Sequence, residues 1–116
     1  MKLVEVYIDK LKTTIPYRIG SNAQDNFDII DDSEPHDLWF HLNNESSSHV
    51  VASVPEGLKR KDRMYIIRQG ALLCKNNHNK SKKEKNVEVV FTAIKNIRKT
   101  ETIGMVELTE RSIITI

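Results

Sequence analysis

Between about Lys61 and Asn76 the apolar residues of this chain recur with a helical period, and on both sides of that stretch they alternate or cluster as strands do. Met64, Ile67, Ala71 and Cys74 fall at i, i+3, i+7 and i+10, and Ile66, Gly70 and Leu73 widen the stripe. A single long amphipathic helix needs an apolar partner surface, and the neighbouring runs supply one as a sheet. Leu3–Ile8, Thr13–Ile19, Asp37–Leu42, Ser48–Val54 and Val87–Thr92 read as strands, followed by two short ones at Met105–Leu108 and Ser112–Ile116. Ser21 and Gln24 have capping-box spacing for a shorter helix from about Asn22 to Ile30. The class is therefore α+β: a mixed, mainly antiparallel sheet with two helices, about 22–30 and 61–76. Pro16 cannot donate to a ladder and predicts an edge or a bulge in the second strand. Gly70 costs its helix about 1 kcal/mol against alanine and predicts a close approach to a strand.

A chain of 116 residues makes one domain, residues 1–116. Its longest apolar run, Ala71–Cys74, is far from a membrane span, and no apolar stretch follows Met1-Lys2, which predicts no signal peptide. The lone Cys74 excludes an internal disulfide and a multi-thiolate metal site, and it suits a reducing compartment such as the cytoplasm, a host's if the chain is virus-encoded.

The net charge of +2 conceals a segregation. Residues 1–58 carry four Lys/Arg against ten acids, residues 59–99 thirteen against three, and residues 100–116 one against three. The segments are thus −6, +10 and −2. A cation-rich segment in a near-neutral domain is the asymmetry expected of a polyanion-binding face, although a solvated helix and lysine loop have the same composition. Lys75, Lys80, Lys82, Lys83, Lys95, Arg98 and Lys99 are the candidate phosphate contacts.

Asp37, Trp39 and His41 sit at alternate positions of one strand and should share a face, and a hairpin through Asn43–Ser47 would bring His49 beside His41. Four readings follow. Asp37, His41 and His49 could supply three metal ligands, without a tight zinc spacing. Asp37 could orient a histidine base, but neither Ser46–Ser48 nor the helix-stripe Cys74 has a nucleophile's setting. Trp39 could stack a base while the histidines and Ser48 meet phosphate or sugar. The set could also be a buried polar network that pins the hairpin register. Gly20 before a helix start could offer amides to a phosphate or make an ordinary turn. Tyr7 and Tyr17 read as cross-strand packing.

These residues resemble the signature of the NFACT-R domain: Asp37-Leu38-Trp39-Phe40-His41, then Ser47-Ser48-His49-Val50 after a short loop. The likeness extends to Gly20 with Asn26, Asn86–Thr92, the basic pair in Asn96–Thr100 and Gly104-Met105-Val106. Ser47 replaces a glycine common in the family, as in the eukaryotic coiled-coil-bearing branch, and Ser21 stands where a basic residue often follows the glycine. The resemblance implies a stand-alone, non-catalytic RNA-binding module without metal or cofactor. Its expected partner is tRNA or rRNA, on or near the ribosome, in translation or ribosome quality control. Asp37, Trp39, His41 and His49 would form the signature site, with Arg98 and Lys99 as basic contacts. A translation-machinery adaptor and a DNA-binding module are the alternatives.

Overall fold

The computed structural model describes residues 1–116. In chain order the strands are β1 (Lys2–Ile8), β2 (Thr13–Ile19), β3 (Leu38–Leu42), β4 (Val50–Ala52), β5 (Glu88–Ala93), β6 (Ile97–Lys99), β7 (Val106–Leu108) and β8 (Ser112–Thr115). The helices are α1 (Ala23–Asp31) and α2 (Arg60–Asn76). Six strands form one antiparallel sheet in the order β1-β2-β4-β3-β5-β8, and β6 and β7 pair as a separate ribbon.

Both faces of the sheet are covered, which is why its central strands are apolar on consecutive residues. On one face Leu38, Phe40, Leu42, Val50, Ala52 and Val89 pack with Ile66, Ile67, Ala71 and Cys74 of α2. On the other, Trp39, Val51 and Val90 pack with Ile29 and Ile30 of α1, and β6–β7 closes that layer through Ile97, Val106 and Leu108. Tyr17 is fully buried, its hydroxyl donating to Ile66 O at 2.9 Å, whereas Tyr7 is exposed opposite Thr14. Gly70 permits a close approach of α2 to β3. A Cβ there would overlap the Phe40 ring, with Cε2 at 2.8 Å.

The structure shifts several sequence expectations. The stripe of α2 centres on Ile66, Ile67, Gly70, Ala71 and Cys74, and Met64 is exposed. β2 is an interior strand, but its ladder with β4 covers only Tyr17–Ile19. Pro16 O accepts from Ser53 N beyond that ladder, so the missing proline N–H faces the same unladdered side. Asn22, not Ser21, caps α1, its Oδ1 accepting from Asp25 N at 2.9 Å, while Gln24 donates to Asp28. The basic connection after β5 contains β6, and β7 pairs with β6 rather than with β8.

Candidate functional site

The register Leu38↔Ala52, Trp39↔Val51, Phe40↔Val50 carries on past the ladder and sets His41 beside His49. Trp39 and His41, two residues apart, project from the α1 side of the sheet. Their rings stack with centroids 5.6 Å apart and planes 4° apart. The His49 ring meets both edge-on, at 5.2 Å from Trp39 and 5.3 Å from His41. Trp39 and His49 are buried, and His41 is half-buried.

Two buried nitrogens in this cluster, Trp39 Nε1 and His49 Nδ1, have no hydrogen-bond partner. An unpaired buried polar atom is costly, about 1–3 kcal/mol, so two together mark a place where a polar ligand group would be stabilised. His41 Nδ1 donates to Leu42 O at 2.7 Å. Burial lowers the His41 pKa, opposed in part by hydrogen bonds to the Leu42 and Ser47 backbone. Burial also lowers His49, to about 4, with the adjacent His41 adding to the effect and the Gly104 backbone opposing it. Both rings are therefore neutral at neutral pH. They can exchange hydrogen bonds with a ribose or a base edge, but they offer no positive charge to a phosphate.

The cluster lies under an open cleft of about 1190 Å³. Its walls are the start of α1, the β3–β4 loop from Asn43 to Ser48, and Ile103–Leu108. The α1 wall is held by Asn26, whose Oδ1 accepts from His49 N at 3.3 Å while Gly20 N donates to His49 O at 3.0 Å. Gly20 must be glycine, because a Cβ would overlap the Asn26 amide, with Cγ at 2.9 Å. Gly20 and Asn26 thus position His49, and the Gly20 amide is used inside the protein. The loop wall is fixed by Ser47 Oγ, which accepts from Leu42 N, and by Glu45, which accepts from Ser81 Oγ and pairs with Lys80 at 3.2 Å.

Of the residues singled out in the sequence, Trp39, His41, Ser48 and His49 line this cleft. Asp37 does not. It is buried one residue before β3, where its carboxylate accepts from Val54 N and Glu34 N, each at 2.9 Å. It clips two loops together, so Asp37, His41 and His49 are not assembled as a ligand set. Trp39 is 3% exposed and its ring is stacked on His41, so the half-buried His41 is the ring most open to the cleft. Cys74 is buried, and burial pushes its thiol up to about 12.

The predicted cations are dispersed. Lys75 lies in the last turn of α2, and Lys80 is tied to Glu45 at the rim. Lys82 and Lys83 are exposed on the short turn Ser81–Lys83, and Lys95 lines a second cleft of about 730 Å³ with Arg63 and Arg111. Arg98 faces Glu107 across β6–β7, and Lys99 pairs with Asp31 at 2.6 Å above the Phe27 ring. Arg111, which the sequence reading passed over, is the cation that lines the Trp39–His49 cleft and also the second one. It stands alone in an acidic segment, so no local charge pattern points to it.

The fold and cleft define a small antiparallel α+β module with a neutral Trp–His cluster beneath an open groove. A family model described as the NFACT protein RNA binding domain matches residues 6–109, and the chain belongs to that family. It is 34% identical over 89 residues to the mouse (Mus musculus) coiled-coil domain-containing protein 25, covering 76% of this chain and 43% of the relative. It is also 34% identical over 83 residues to the Dictyostelium discoideum homolog, covering 71% and 40%. The chain thus spans about two fifths of these relatives' length. Its fold matches the C-terminal part of the fibronectin/fibrinogen-binding protein from Streptococcus suis with a TM-score of 0.78 at 19% identity, over 97% of this chain and 44% of that one. Family membership supports a general RNA-binding role. No helix is long and apolar enough to cross a membrane.

Proposed function

We propose that this chain is a non-catalytic module that binds structured RNA, tRNA or rRNA, in a cytoplasmic translation or ribosome quality-control setting. The observation that carries the reading is the pair of unpartnered buried nitrogens, Trp39 Nε1 and His49 Nδ1, under a cleft whose histidines are neutral. Neutral donors and acceptors next to an aromatic ring suit a ribose hydroxyl or a base edge, the features by which proteins recognise unpaired RNA nucleotides. His41→Ala should weaken binding to a tRNA transcript by about 1–3 kcal/mol, the usual range for a ring that contacts a base. Fluorescence anisotropy measures this, and a matching DNA oligonucleotide in the same titration tests the DNA alternative. Full affinity in a folded His41→Ala chain, or equal binding of DNA, would count against the reading.

A protein partner is the second reading, favoured by Ile103 and Met105, which are 55% and 59% exposed at the cleft wall. Under it, Met105→Ser would abolish co-purification of a translation protein after nuclease treatment and leave RNA affinity unchanged.

A further inference from the structure

The outward face of α2 has no role in the cleft. The helix carries five cations against one acid, Asp62, none of the five in an ion pair; Arg63 is half-buried and lines the second cleft, which leaves Arg60, Lys61, Arg68 and Lys75 to the outer face. Elsewhere Lys12, Lys80 and Lys99 each pair with a carboxylate. Lys61, Arg68 and Lys75 recur every seven residues, so they stay on one flank of the helix, drifting about 20° per heptad. Neighbours in this row are about 10 Å apart along the axis. Met64 and Tyr65, 38% and 36% exposed, lie among them. The Ser81–Lys83 turn packs against α2, and its Lys82 and Lys83 are exposed.

This surface lies on the opposite side of the sheet from Trp39 and His49, because α2 covers the Phe40 face and α1 covers the Trp39 face. A cationic row with interleaved aromatic and thioether groups is complementary to a phosphate backbone. We propose that the outer face of α2 is a second RNA-contact surface, which takes the phosphate backbone of a folded RNA and supplies most of the salt-dependent affinity. The inference rests on the RNA-binding function proposed above. The cleft then selects nucleotides with little net charge, while α2 provides attraction without sequence preference.

The test is titration of a tRNA transcript with the full chain over about 50 to 200 mM salt. The variant Lys61→Gln/Arg68→Gln/Lys75→Gln is compared with Lys2→Gln/Lys10→Gln/Lys12→Gln, which removes equal charge from the β1–β2 end. Glutamine is a good helix former, and circular dichroism melts confirm that both fold. The α2 variant should flatten the slope of log K against log salt by about two to three and lose at least about tenfold in affinity at low salt, with a clearly smaller effect from the control. An unchanged slope, equal losses in both variants, or wild-type binding to phosphatidylserine vesicles that tRNA does not displace would overturn the inference. If the slope stays unchanged while His41→Ala still weakens binding, the α2 surface fails and the cleft reading stands. A wild type that binds no tRNA overturns both.

Discussion

At the scale of single residues, steric fit decides more than propensity. Alanine is the better helix former by about 1 kcal/mol, yet at Gly70 its methyl would enter the space of the Phe40 ring. Overpacking typically costs about 1–3 kcal/mol, so Gly70→Ala should lower stability in urea denaturation, and a stabilised variant would refute the contact. His49 makes a pH-dependent prediction. Its pKa is lowered to about 4 in the fold from an ordinary 6.5, so protons bind the unfolded chain first as pH falls. Its contribution to stability is complete above about pH 6.5 and is lost as pH falls toward 4, by at most on the order of 3 kcal/mol. The lowered pKa of His41 acts in the same direction. Urea midpoints for the wild type should therefore fall between pH 6.5 and 5 more steeply than for His49→Gln; parallel curves would show that the buried ring does not titrate as described.

At the scale of elements, burial orders the stability of the parts. β3 and β4 lie in the middle of the sheet with both faces covered, whereas β6 and β7 form a three-residue ribbon whose side chains are all exposed or half-buried. Hydrogen exchange should be slowest at Trp39–Phe40 and Val50–Val51 and faster by orders of magnitude at Ile97–Lys99, because a two-stranded ribbon is weak alone. Equal protection across both sheets would contradict this layering. The same contrast explains what could be read from the sequence. β1, β2, α2 and the β3–β4 hairpin are long or strongly patterned, and β2 matches its expected bounds residue for residue. β6 is not legible in the sequence, because Ile97-Arg98-Lys99 has one apolar residue and no alternation. Alternation places Asp37 on the Trp39 face, but Asp37 precedes the first strand residue, Leu38, and its carboxylate turns to Val54 N. The His41–His49 neighbourhood was legible because an antiparallel register fixes it. The Trp39 ring's burial was not, because the layer that covers it comes from α1 and β6–β7, distant in sequence.

At the scale of the whole molecule, segregated charge and a two-faced sheet divide the labour. The cation-rich segment 59–99 does not converge on the signature residues. Its helical part forms the far face, Lys80 and Arg98 pair with or face Glu45 and Glu107 of the cleft lining, and Lys99 pairs with Asp31. The cleft itself contains neutral histidines, an unpartnered indole N–H and a single cation, Arg111. The central claim is that this cleft receives RNA. Trp39 is the sole tryptophan, so one indole N–H resonance in an ¹⁵N-correlated spectrum reports on it without ambiguity. Titration with a tRNA transcript should shift that resonance to saturation in step with the His41 and His49 backbone amides. An indole resonance that stays in place while RNA saturates the protein would contradict the account.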